Sequence, residues 1–150
     1  MRKMAEKEIR DFVEEWAWGT IIAVDGDKPY AIEVSYGSDG KYIYFGSRPN
    51  GKMAKCIREN QNIIFKVCDA DKFYLTWRAI SVFGKAERLT KREDILYGMK
   101  MIAEKLIFTT KRTSRTEEQL QAIGEMLAAN PEAGGPLRIA IENFSGVTSP

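Results

Sequence analysis

The stretch Phe45–Cys56, FGSRPNGKMAKC, places a hydroxyl at Ser47, a guanidinium at Arg48 and an ammonium at Lys52. Such a set can hold an anion. Gly46 to Lys52 reads G-x-x-x-x-G-K, the body of a P-loop, but Met53 stands where that motif needs Ser or Thr for magnesium. A P-loop also requires a parallel sheet with crossover helices, whereas the strands here are joined by links too short for crossovers. Triphosphate chemistry is therefore not expected. A simpler phosphate site is. The strand end delivers Ser47 and Arg48, and a helix starts near Gly51 and Lys52, where backbone N–H groups lack internal partners. Free donors at the positive end of a helix favour an anion. The plainer alternative is a connection only, since Arg48-Pro49-Asn50-Gly51 is good turn chemistry.

Other chemistry is narrowed by what is missing. The chain has no histidine, which excludes a Ser-His-Asp or Cys-His nucleophile, a His-ligated zinc and an imidazole proton shuttle. Cys56 and Cys68 are too few for a disulfide framework or a four-ligand zinc site and read as reduced thiols. Reactivity must come from carboxylates, Lys, Tyr or a borrowed cofactor.

With 23 basic and 21 acidic residues the formal charge is +2, and no excess points to a nucleic acid. Tyr30, Tyr42 and Tyr44 would suit base stacking, but such platforms come with a basic groove, and the near-neutral charge argues against one. No run approaches the roughly 20 apolar residues of a membrane span, and MRKMAEKEIRDFVEEW lacks the apolar core of a signal peptide. The expectation is a cytoplasmic protein with neither nucleic acid nor membrane as partner. At 150 residues, 44% apolar, the chain suits one domain with one core.

The elements that must position the anion residues follow from periodicity. Ile9, Phe12, Val13 and Trp16 mark a helix over 4–15. GTIIAV (19–24), YAIEVSY (30–36) and KYIYFGS (41–47) read as an antiparallel meander around two tight turns. A short helix over 52–60 follows, then strands over 63–69 and 75–87, with Gly84 suggesting a bend. Helices are expected over 93–108 and 116–129. The second opens on the capping box TEEQ and stops at Asn130-Pro131. KLIFTTKRTSRTEE (105–118) reads as a mobile connection, and LRIAIENF (137–144) as the last strand. The fold class is mainly β with α. Six antiparallel strands of this length close most economically into a small barrel.

This order of motifs resembles the pyridoxamine 5'-phosphate oxidase-like FMN-binding split barrels, and within them the nitroimidazole-resistance branch. The likeness is carried by P-Y opening a strand at Pro29-Tyr30, Y-x-Y-F-x-S at 42–47, G-K opening a helix at Gly51-Lys52, and V-x-G-K-A-E at 82–87. It covers most of the chain except the late helices. The resemblance implies a six-stranded split barrel, a homodimer, and FMN in clefts between subunits. It places Ala31, Ile32, Glu33, Val34 and Ser35 along the isoalloxazine ring. Phe45, Gly46, Ser47, Arg48, Gly51 and Lys52 would hold the ring edge and the ribityl phosphate, with Trp77 and Ser81 completing the cleft. Small side chains at Ala31 and Ser35 would let a flat ring reach the backbone.

Two departures stand out. Relatives of the nitroimidazole branch often carry histidine where this chain has Gly46. Pyridoxamine-phosphate oxidases proper carry basic and aromatic substrate residues, including a C-terminal motif, that NFSGVTSP does not match; vitamin B6 oxidation is not expected. The resemblance implies an FMN-dependent oxidoreductase acting on a small molecule or electron donor. The alternative is a non-catalytic barrel that binds flavin or haem. Lys111, Arg112 and Arg115 could draw in an anionic substrate or simply form a solvated loop.

Overall fold

The computed structural model describes residues 1–48, 50–110, 116–130 and 134–150. In chain order the elements are β1 (Arg2–Lys3), α1 (Glu6–Glu15), β2 (Trp18–Asp25), β3 (Lys28–Ser38), β4 (Tyr42–Ser47), α2 (Lys52–Glu59), β5 (Asn62–Ala70), β6 (Trp77–Lys85), β7 (Glu87–Arg88), α3 (Arg92–Thr110), α4 (Glu117–Ala129), β8 (Gly135–Ala140) and β9 (Asn143–Thr148).

The strands form an antiparallel sheet ordered β1-β9-β6-β5-β2-β3-β4-β8-β7. Its connectivity forces it to curl. β6 and β7 lie toward opposite ends of that order, yet only Ala86 separates them in the chain. β8 and β9 are likewise at opposite ends and are joined through Ile141 and Glu142. Links this short can span only a few ångströms, so the sheet wraps into a split barrel. Alternate side chains of its strands fill the interior: Ile21, Tyr36, Phe45, Phe65, Ile80, Val82, Leu137 and Ile139 are all fully buried. Phe65 sits at the centre, with ring centroids of Tyr36 and Phe45 at 5.3 and 5.7 Å.

Among the described residues nine strands replace the six expected. β1 and β7 are two-residue edges, too short to show a period. The last strand breaks in two because the buried phase slips: Leu137, Ile139 and Ile141 alternate, but the next core-facing residue is Phe144 rather than residue 143. β6 begins at Trp77 because Asp71 ties residues 71–76 into a loop, accepting from the Phe73 amide at 2.8 Å and from the Thr76 amide and hydroxyl. Gly84 lies near the end of β6, just before the chain leaves for the opposite end of the sheet.

The expected connection over 105–118 is helical as far as Thr110, and residues 111–115, including Lys111, Arg112 and Arg115, lie outside the described residues. α4 opens as the sequence indicates: Thr116 Oγ accepts from the Gln119 amide at 3.2 Å, and Gln119 Oε1 accepts from the Thr116 amide at 2.9 Å.

α3 lies directly on β3. A Cβ at Gly37 would stand 2.2 Å from the Met101 carbonyl oxygen, so any side chain there would push the helix away. This close approach sets Ile102 over the gap between β3 and β4. Among the described residues, no helix is long and apolar enough to cross a membrane.

Candidate functional site

β3 and β4 diverge, and the site lies where they part. β3 pairs with β2 from Lys28 to Ser35 but with β4 only from Tyr36 to Ser38. Beyond Phe45, β4 stays with β8, placing Gly46 opposite Pro136 and Ser47 opposite Gly135. The second edge of β3 before Tyr36 therefore has no strand partner among the described residues. Backbone donors and acceptors on that edge need other partners. They border a cavity of about 820 Å³, within the range of small-molecule sites.

The cavity has an apolar wall and a cationic end. Ile32 and Val34 of β3, Met53 and Ala54 of α2 and Ile102 of α3 supply apolar surface. Ser47, Arg48, Gly51 and Lys52 make up the polar, cationic part of the lining, next to the start of α2. The turn between them is closed by the Gly51 amide donating to the Arg48 carbonyl at 3.1 Å, with Asn50 in the left-handed region at φ 55°, a conformation Asn tolerates. Gly51 precedes α2 in extended geometry, and among the described residues no side chain caps the helix. Its first amides thus remain available to a ligand.

Gly46 also lines the cavity, and a Cβ built there would meet none of the described residues within 4 Å. Neither crowding nor a left-handed φ requires glycine at this position. The bare backbone instead leaves space that a side chain would fill.

Of the residues singled out in the sequence, Ile32, Glu33, Val34, Ser35, Gly46, Ser47, Arg48, Gly51 and Lys52 all line this one cavity. Ala31 is exposed on β3 beyond its lining. Phe45 is 0% exposed and belongs to the core, because strand alternation turns it inward between Tyr44 and Gly46. Trp77 and Ser81 lie on β6, separated from β3 by β5 and β2, and do not reach the cavity of their own chain.

Three further residues shape the cationic end. Lys52 Nζ is 3.3 Å from Asp25 Oδ2 and 4.5 Å from the Tyr30 ring centroid. Arg88 donates to Ser47 Oγ at 3.0 Å and to the Gly135 carbonyl at 3.4 Å. Asp25 reads in sequence only as part of the turn Asp25-Gly26-Asp27. Arg88 is 41 residues from its partner, and no local spacing signals the contact. Cys56, on the inward face of α2, is buried. Burial, reinforced by Asp25 against the opposing pull of Lys52, pushes its thiol above the ordinary value, which disfavours a reactive thiolate.

The arrangement can bind a flat, partly apolar group along an open strand edge and fix an anionic tail beside α2. Among the described residues, no cluster of Cys, Asp or Glu is arranged for a metal.

Comparison with known proteins agrees with this architecture. No curated protein matches the chain. Solved structures match over nearly its whole length. An FAD-binding protein from Mesorhizobium loti is 19% identical, with 99% of this chain and 98% of that one covered and a TM-score of 0.72. The FAD and heme binding protein from Mycobacterium smegmatis is 15% identical, with 99% and 74% covered and a TM-score of 0.75. A candidate 5-nitroimidazole antibiotic resistance protein from Bacteroides thetaiotaomicron is 13% identical, with 97% and 85% covered and a TM-score of 0.71. At these identities the likeness is one of fold. The family model described as pyridoxamine 5'-phosphate oxidase matches residues 5–145, and the chain belongs to that family.

Proposed function

We propose that this chain is a flavin-binding protein that holds FMN in the gap between β3 and β4 and serves as an oxidoreductase for a small molecule. One observation carries the reading: Ser47, Arg48 and the uncapped start of α2 converge on a cavity whose long side is an unpaired strand edge. The residues present fit the group. The space left by Gly46 admits a ring against the backbone, the edge of β3 offers donors and acceptors to a heterocycle, and Ser47, Arg48 and Lys52 suit a phosphate.

A bound flavin would supply hydride and electron exchange with the small molecule. The chain's own residues bind and orient. Ile32, Val34 and Ile102 keep water from one side of the ring, and Glu33 and Ser35 lie where they can meet the ring or its reaction partner. No histidine is available as a proton donor.

Trp77 and Ser81 enter such a site only through a second copy of the chain. A homodimer is supported by the outer face of β2, β5 and β6. Trp18 (46% exposed) and Phe83 (38%) lie there with Ile22 and Ile64, which pair across β2 and β5. Sedimentation at micromolar concentration should give a dimer; a monomer would contradict this part of the reading.

The decisive experiment is the absorbance spectrum of the purified protein, followed by titration with FMN. Flavin bands, or saturable binding of added FMN, are expected; neither would end the proposal. Because two of the similar folds are described as FAD-binding, FAD is titrated in parallel, and FMN should bind more tightly. Reduction by a nicotinamide without oxygen, then reoxidation by a nitroaromatic, supports catalysis. A bound flavin that no donor reduces supports the non-catalytic flavin- or haem-binding alternative.

A further inference from the structure

We infer that Arg88 is a positioning residue for the anionic end of this cavity, acting through the hydroxyl of Ser47. The inference rests on the FMN reading above. Ser47 Oγ lies on the cavity wall and receives a hydrogen bond from Arg88 Nη2 at 3.0 Å. A serine hydroxyl has one proton and two acceptor lone pairs. A guanidinium only donates and stays ionised at any working pH. With Arg88 occupying an acceptor position, the hydroxyl proton is left to point elsewhere. The cavity side then presents a donor, made stronger by the charge behind it. Such a donor matches an anionic oxygen better than an amine or a cation.

The second arm fixes the geometry. Arg88 Nη1 donates to the carbonyl of Gly135 at 3.4 Å, and Gly135 is the ladder partner of Ser47. Arg88 itself stands opposite Leu137 in the β7–β8 ladder. One guanidinium therefore clips the side chain of the cavity strand to the backbone of the neighbouring strand. Lysine could reach one of these groups but not reproduce the planar fork. This gives the two-residue β7 a purpose: it delivers Arg88 behind β4 from the far end of the sheet.

The test compares FMN with riboflavin, which lacks the phosphate, by fluorescence titration of the wild type, Arg88→Met, Arg88→Lys, Ser47→Ala and Ser47→Ala/Arg88→Met. Arg88→Met should weaken FMN about tenfold, the scale of one charged hydrogen bond, with riboflavin affinity nearly unchanged. In the Ser47→Ala background, Arg88→Met should cost little more, because the two act in series. Arg88→Lys should give an intermediate loss, again confined to FMN, and serves if Arg88→Met fails to fold. Equal losses for FMN and riboflavin, unchanged FMN affinity, or full additivity with Ser47→Ala would overturn the role of Arg88 while leaving the flavin reading intact. A wild type that binds neither flavin would overturn both.

Discussion

The Lys105 ammonium donates to the carbonyl of Val13 at 2.9 Å, tying α3 to the last turn of α1 across 92 residues of chain. The same ammonium lies 3.4 Å from Ser38 Oγ and 4.2 Å from the Tyr36 ring centroid. Tyr36 donates its hydroxyl to the same Val13 carbonyl at 2.7 Å, and Ser38 donates to Glu14 at 2.9 Å. Three elements therefore meet at the end of α1, and α3, which carries Ile102 over the cavity, is fixed there.

This contact predicts a pH dependence. Burial pushes the Lys105 ammonium down to about 8, against a smaller opposite pull from Glu14. In the unfolded chain the group keeps its proton to about pH 10.4. Between these values the unfolded state binds more protons, so this group's contribution to stability rises with pH. The stability of the wild type relative to Lys105→Met should be flat below pH 8 and increase from pH 8 to 10. Urea unfolding at pH 7, 8, 9 and 10 measures it; a difference that does not move with pH would refute the assignment.

Asp39 is the second anchor of α3. It accepts from the amides of Lys41 and Tyr42 at 2.9 and 2.8 Å, and from the hydroxyls of Tyr44 and Tyr97 at 3.1 and 3.0 Å. Burial raises its carboxyl, but these hydrogen bonds outweigh that and hold it below the usual value. Asp39→Ala should destabilise the protein by about 2–3 kcal/mol at neutral pH. The folded-state value is depressed, so the stabilisation is full above about pH 4 and fades as pH falls through the folded value. Denaturant melts of both proteins at pH 7 and at acid pH should show the gap narrowing.

Gly46 separates folding from binding. Its Cβ position is open and its backbone conformation is ordinary, so Gly46→Ala should change stability by no more than about 0.5 kcal/mol. If a ring rests against this backbone, the added methyl weakens FMN binding severalfold. A large loss of stability, seen as a shifted melting curve, would contradict the described geometry. Unchanged FMN affinity would place the ring elsewhere.

Lys52 is held by Asp25 before any ligand arrives, and its side chain is 55% exposed. A pair this open adds little to stability, so its chief effect is competition. Lys52→Ala should weaken FMN by about 1–3 kcal/mol, the scale of a hydrogen bond to a charged group. Asp25→Asn should strengthen it, since the ammonium loses its rival carboxylate and the anion loses a repulsion. Titration of both variants checks the two signs; weaker binding by Asp25→Asn would rule out the competition.

Much of this was legible beforehand for a definite physical reason. Period-two alternation in YAIEVSY and IIFKVCD, and the donors grouped in FGSRPNGK, are local patterns that survive without tertiary knowledge. The cavity gathered most of the residues so chosen. What escaped was non-local or too short to have a period. β7 has two residues and exists only because β8 lies beside it. Phe45 sits between cavity residues in sequence, yet alternation alone would have turned it inward. The slip from Ile141 to Phe144 was visible and could have split the last strand. The Arg88–Ser47 contact could not have been found, because it depends on a sheet that curls back on itself.

That curl also orders events during synthesis. β4, which presents Ser47, is flanked on its outer side by β8, and β6 by β9. Both flanking strands come from residues 135–148 and are therefore made after β4 and β6. Until then β4 and β6 are naked edges, the kind that invite pairing between chains, and closure waits on contacts of long sequence separation, which form slowly. The nascent chain can assemble its meander early, but its phosphate end takes shape only once β8 has been made.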